Sequence, residues 1–188
     1  MRRTFILLFG LIILAHTGCT RSNEYHSLIE RELATKVRND TLLMDIRFGM
    51  KKRNFFAHCW ELNKKGILVE GINNASVHFE FIRFDKEYEV DFYPIFYEGK
   101  IFELPVKYKY TAFAPWNPKY STDTLLLEIL NIHKEKYGND FIEIRSKNQD
   151  IGTAYVRVDG NRRISIYKNI HTNSITVLYF DLLSKKKG

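Results

Sequence analysis

Cysteine is scarce in this chain, with two in 188 residues, Cys19 and Cys59. A disulfide-stapled framework is therefore excluded. Long apolar runs are missing too. The most apolar stretch, Phe5 to Ala15, falls well short of the ~18 residues that a bilayer-crossing helix needs. There is no glycine-rich phosphate loop, no nucleophile elbow and no calcium-loop spacing. His26, His58, His78, His133 and His171 are scattered without the paired spacing of metal ligands, and His133-Lys134-Glu135 reads as ordinary helix surface. These absences argue against an enzyme and point to no cofactor and no metal.

What is present begins at the N-terminus. Arg2 and Arg3 precede the apolar stretch, and His16-Thr17-Gly18-Cys19 follows it. A charged segment, an apolar segment and a small-residue cleavage zone form a secretory signal peptide, here residues 1–18. The chain turns polar at once after Cys19 (Thr20, Arg21, Ser22, Asn23, Glu24), so nothing lengthens the apolar span. The Gly18-Cys19 ending resembles the lipobox of bacterial lipoproteins, with His16 where that pattern carries an aliphatic residue. The resemblance implies that Cys19 becomes a diacylated N-terminus that holds the protein on a membrane. Plain secretion, with cleavage after Thr17 or Gly18, is the alternative. Thr20 stands where an Asp would favour inner-membrane retention, so the same resemblance implies the outer membrane, within the cell envelope.

The formal charge of +7 includes Arg2 and Arg3, which leave with a signal peptide, and the Lys185-Lys186-Lys187 tail. A solvated surface accounts for the remainder, and nucleic acid is not expected as a partner. With Cys19 acylated, Cys59 has no intrachain partner. Its setting, Phe55-Phe56-Ala57-His58-Cys59-Trp60, reads as core.

Residues 19–40 read as a tether with a short helix, marked by Tyr25, Leu28, Ile29, Leu33 and Val37 at helical spacing. Residues 41–188 form one domain. A helix over Lys51 to Lys65 carries Phe55, Cys59 and Leu62 on one apolar stripe, with Phe56 and Trp60 alongside, and ends at Gly66. Strands follow at Ser76 to Phe84, Tyr88 to Tyr97 and Lys100 to Tyr110. Glu98-Gly99 is the turn into the last, which puts Phe102, Leu104, Val106, Tyr108 and Tyr110 on one face and is placed at an edge or bulged because of Pro105. A second helix starts at Ser121 or Thr122, presents Leu126, Ile129, Leu130, His133 and Tyr137, and stops at Gly138. Four strands complete the chain: Phe141 to Arg145, Thr153 to Val158, Arg162 to Tyr167 and Ser174 to Leu183. Asp159-Gly160 is the strongest hairpin signal.

The expected fold is α+β, a two-layer helix-on-antiparallel-sheet domain, with two αβββ halves at about 41–110 and 121–183. This element order is similar to that of the beta-lactamase inhibitory protein superfamily. Phe48-Gly49-Met50 before the first helix resembles the Gly-Met lead-in of the BamE/SmpA lipoproteins of outer-membrane assembly, with Lys51 in place of the capping Ser or Thr. The resemblance implies an interaction module.

Two features could bind something. Glu87, Glu89 and Asp91 alternate onto one strand face, which reads as the wet side of a sheet. The loop from Tyr110 to Tyr120 gathers Tyr110, Phe113, Trp116 and Tyr120 among prolines that would stiffen an exposed aromatic for binding. The competing reading has Phe113 and Trp116 plugging the core. Together these features point to a non-enzymatic scaffold for an envelope protein partner. The alternative is stacking of glycan or peptidoglycan fragments on Phe113 and Trp116, and a further one is an envelope enzyme with dispersed catalytic residues.

Overall fold

In the computed structural model, the described residues are 17–71, 76–112, 116–146 and 148–184, with side chains described from Glu24 onward. Among the described residues there are three α-helices, α1 Thr17–Ala34, α2 Lys52–Lys64 and α3 Thr122–Tyr137, and a short 3-10 turn at Pro118–Tyr120. Nine strands accompany them: β1 Val69–Glu70, β2 Val77–Arg83, β3 Lys86–Phe92, β4 Ile95–Tyr97, β5 Lys100–Tyr110, β6 Ile142–Arg145, β7 Thr153–Asp159, β8 Arg162–Lys168 and β9 Ile175–Asp181.

The two-layer, two-halves expectation does not hold. The strands before and after α3 join edge to edge through β5 and β9 into a single antiparallel sheet. Its order is β1-β2-β3-β5-β9-β8-β7-β6, with β4 also on β5. The fold remains α+β but is dominated by this sheet. Two physical reasons account for the difference. First, helices cover both faces. Leu125, Ile129 and Leu130 of α3 pack on one side with Tyr88, Val90, Leu104, Val106, Ile164, Val177 and Tyr179. On the opposite side Tyr25, Leu28 and Ile29 of α1 cover Ala154, Val156 and Val158 of β7. Second, α2 fully buries only Phe55, so it plugs the sheet with one residue rather than layering on it. Burying such a side chain contributes ~1.5–3 kcal/mol. Residues 19–40, read as a tether, are therefore docked on the domain from Tyr25 onward.

Pro105 was expected to put its strand at an edge or to bulge it; β5 is central, and the ladder irregularity lies on its β4 partner, between Ile95 and Phe96. β5 pairs with β9 along one side, Pro105 standing opposite Leu178. Along the other side it changes partner. β3 pairs as far as Val106, and β4 takes over at Glu103. Pro105, which has no N–H to donate, falls in the gap between those two partners, where no ladder bond is lost. The change of partner comes from the break at Tyr93-Pro94, which splits the expected strand Tyr88 to Tyr97 into β3 and β4.

Turn chemistry behaves as the sequence suggested. Glu98 and Gly99 join β4 to β5 with φ of 49° and 73°, and Gly160-Asn161 joins β7 to β8. Ser121 caps α3 by accepting from the Thr124 N–H at 3.2 Å. The lead-in to α2 has no side-chain cap on Lys51. Backbone pairing with the β4–β5 turn replaces it: Gly49 N–H donates to Ile101 at 2.8 Å and Lys52 N–H to Gly99 at 2.9 Å.

Candidate functional site

Of the four aromatic residues expected to bind, Tyr110, Trp116 and Tyr120 lie among the described residues, in different settings. Tyr110 is buried, its ring 5.4 Å from that of half-buried Tyr120. Trp116 is 84 % exposed. Phe113 lies outside the described residues.

Tyr110 and Tyr120 belong to a polar cluster centred on Glu128 of α3. Lys86 Nζ donates to one carboxylate oxygen at 2.6 Å, and the hydroxyls of Tyr88 and Tyr110 each donate to the other at 2.6 Å. Lys86 also donates to the Lys119 carbonyl at 2.7 Å and lies 4.9 Å from the Tyr110 ring centre and 5.6 Å from that of Tyr120. Burial alone would raise the Glu128 carboxyl, but the bonds from Lys86, Tyr110 and Tyr88 outweigh it and hold it below the ordinary range. Burial, then the bond to Glu128, pushes both tyrosine hydroxyls well up. Each oxygen has its donors, and no group is left poised to take or give a proton. The cluster ties α3 to β3 and β5.

His133, read as helix surface, is buried at 4 % exposure beneath α3. Its Nδ1 lies 2.7 Å from the Ile129 carbonyl, so that nitrogen carries the proton. Nε2, 3.1 Å from the Tyr179 hydroxyl, then accepts. Burial lowers its pKa to about 4. The ring is a neutral core residue with both nitrogens satisfied.

Glu87, Glu89 and Asp91 do share the face of β3 opposite the core. β5 sets cations beside them, with Lys109 Nζ 2.5 Å from Glu89 and Lys107 opposite Asp91. His78 of β2 approaches Asp91 at 3.1 Å. Register across β2, β3 and β5 supplies these partners. Among the described residues, no group of three or more His, Cys, Asp or Glu side chains could hold a metal ion. No described helix is long and apolar enough to cross a membrane.

A concave surface lies elsewhere among the described residues. Between α2 and the β1–β2 hairpin is a groove of about 580 Å³, lined by Phe56, Cys59, Trp60, Leu68, Val69 and Tyr93, among others. Phe56 is 47 % and Trp60 61 % exposed, large apolar surfaces that a solitary domain would ordinarily cover. Lys52 and Lys64 sit over the Phe56 and Trp60 rings at 5.9 and 5.8 Å; Lys64 is paired with Glu61 at 2.9 Å and Glu70 lines the groove, while exposed Arg53 and Lys65 keep α2 net basic. Cys59 is half-buried there, and burial raises its thiol to about 11, so it lines the groove as a small apolar group. The sequence held the signal for this site. The stripe assigned to the core carried Phe56 and Trp60 alongside Phe55 and Cys59, more apolar residues than one helix face can bury.

Comparison of the chain with protein-family models, with curated proteins and with solved structures finds no match.

Proposed function

We propose that the protein is a lipid-anchored component of the cell envelope, held by acylated Cys19, that binds a protein partner through the groove between α2 and β1–β2. The observation that carries this reading is the half-exposed pair Phe56 and Trp60 on the groove wall. Aromatic residues in a concave, apolar site supply most of the binding energy at protein interfaces. The basic rim of Lys52, Arg53, Lys64 and Lys65 fits an apolar segment with acidic flanks. The satisfied state of Glu128 and His133 supports a binding role over catalysis.

A second reading has its own support: Trp116, at 84 % exposure beside Pro118, could stack on a sugar ring. One experiment separates the two. An aromatic photo-crosslinker at position 60 is expected to give a discrete protein adduct in intact envelopes, abolished by Phe56→Ser, with none at position 116. A glycan adduct at position 116 and none at position 60 would move the site to the loop.

A further inference from the structure

β1 pairs with only the first two residues of β2, Val69 opposite His78 and Glu70 opposite Val77. Beyond them the chain turns away: the Ile67 N–H donates to Leu62 and the Leu68 carbonyl accepts from Asn63 Nδ2. Among the described residues, no strand covers Phe79 to Arg83 on that side. Sheet edges are normally blunted by proline, lysine or a bulge. This stretch has no proline, lysine or bulge; its charges are Glu80 and Arg83, and it exposes Ile82 to 77 %.

The groups that point outward can be named. Phe84 and Asp85 form a two-residue turn with φ of 52° and 54°, the type I′ hairpin, which makes Arg83 and Lys86 the closing hydrogen-bonded pair. Hydrogen-bonded and non-bonded pairs alternate along an antiparallel ladder. Phe79, Phe81 and Arg83 therefore bond to β3, while the N–H and C=O of Glu80 and Ile82 face out. His78, of the same parity, is the residue that meets Val69 of β1.

From this edge we infer that the protein forms a symmetric dimer by antiparallel pairing of β2 with β2 of a second copy, centred on Phe81. A two-fold axis through the sheet keeps facing residues on the same side, which limits the registers. Centring on Glu80 would oppose the two Glu80 carboxylates, an unfavourable like-charge pair. Centring on Phe81 sets Glu80 against Ile82 of the other copy, Phe79 against Arg83, and the two Phe81 rings against each other. Phe81 is already stacked on Tyr88 with ring centres 4.8 Å apart, so it meets its counterpart preorganised. This register pairs all five open residues, and the Phe84-Asp85 turn ends the strand where β1 of the other copy begins. The outward groups of Glu80 and Ile82 then make about four hydrogen bonds across the axis. A five-residue edge buries less than the ~1,200 Å² typical of a standing complex, so association depends on concentration. The dimer is independent of the groove.

Cysteine cross-linking in membranes carrying the full chain tests the register. Facing residues of a non-bonded pair lie ~4.5 Å apart, within disulfide reach, whereas the two copies of residue 82 are diagonal and beyond ~7 Å. Phe81→Cys is expected to yield several-fold more disulfide-linked dimer on oxidation than Ile82→Cys. Equal or absent cross-linking, or an adduct to a different protein at position 81, would overturn the pairing. Because Phe81→Cys also removes a packed ring, the wild-type full chain in detergent supplies a second test. Its sedimentation is expected to shift toward the dimer with rising concentration. Ile82→Pro should abolish that shift, since it deletes one outward N–H and leaves the ladder to β3 intact. A wild-type chain monomeric throughout would overturn the proposal.

Discussion

Gly160 lies so close beneath Val37 that a Cβ on it would come within 2.3 Å of the Val37 carbonyl oxygen. The contact joins the β7–β8 turn to the segment after α1, and side chains reinforce it. The Asn39 N–H donates to Asn161 Oδ1 at 2.7 Å, Asn161 Nδ2 to Asp181 at 2.9 Å, and Arg162 to the Thr41 carbonyl at 2.7 Å. Gly160 also holds a φ of 57°, which an L side chain adopts at a cost of ~1–2 kcal/mol. Gly160→Ala is expected to destabilise the fold by ~3 kcal/mol, more than the backbone conformation alone explains, because the Val37 to Thr41 segment must shift. Urea unfolding measures the loss, and hydrogen exchange should show that segment opening first.

His133 gives stability a pH dependence. The ring takes a proton near its ordinary 6.5 when unfolded and at about 4 when folded. Between those values the unfolded chain binds a proton that the folded chain excludes, so stability falls as pH drops from 6.5 to 4 and this contribution then levels off. The full effect is ~3 kcal/mol. His133→Gln keeps a donor and an acceptor without titrating. The difference in urea midpoint between variant and wild type should therefore change across this window and stay constant above it.

The Glu128 cluster titrates on the acid side. Its carboxyl is held below the ordinary range in the fold, so its contribution is complete above the unfolded value of ~4.3 and lost as pH falls through the lowered folded value. Glu128→Gln leaves Lys86, 12 % exposed, without its anion and should cost ~2–4 kcal/mol. Lys86→Met leaves the carboxylate its two tyrosine donors and should cost less. A double-mutant cycle on thermal unfolding is expected to give a coupling of ~1–2 kcal/mol.

Local structure was legible in the sequence because its signals are local. Ser121 and Gly138 bound α3, Glu98-Gly99 turns the chain, the Asp159-Gly160 signal falls one residue before the observed Gly160-Asn161 turn, and alternation puts Leu104, Val106 and Tyr108 on one face. Sheet order was not legible, since nothing near β5 or β9 states that they pair. For the same reason Pro105 suggested an edge: the rule concerns the side of the strand its nitrogen faces, and the change from β3 to β4 is a tertiary fact. The site was misjudged on burial. Tyr110 and Tyr120 look like binding aromatics until Lys86 and Glu128, distant in sequence, are set against them. Phe56 and Trp60 look like core until Phe55 alone fills the place available.

The proposed anchoring makes a prediction that the docking of α1 sharpens. A diacylated Cys19 buries two chains at ~0.8 kcal/mol per CH₂, enough for stable membrane residence, whereas one short chain gives only reversible binding. Cys19→Ser removes the acceptor. It leaves untouched Tyr25, Leu28 and Ile29 on Ala154, Val156 and Val158, and the Asn39 bonds to the β7–β8 turn. The variant is therefore expected to leave the membrane fraction as a folded domain, with its thermal midpoint unchanged and with no incorporation of labelled palmitate. Retention of both label and membrane residence would remove Cys19 as the anchor. Release accompanied by unfolding would mean that the membrane itself supports α1 against β7.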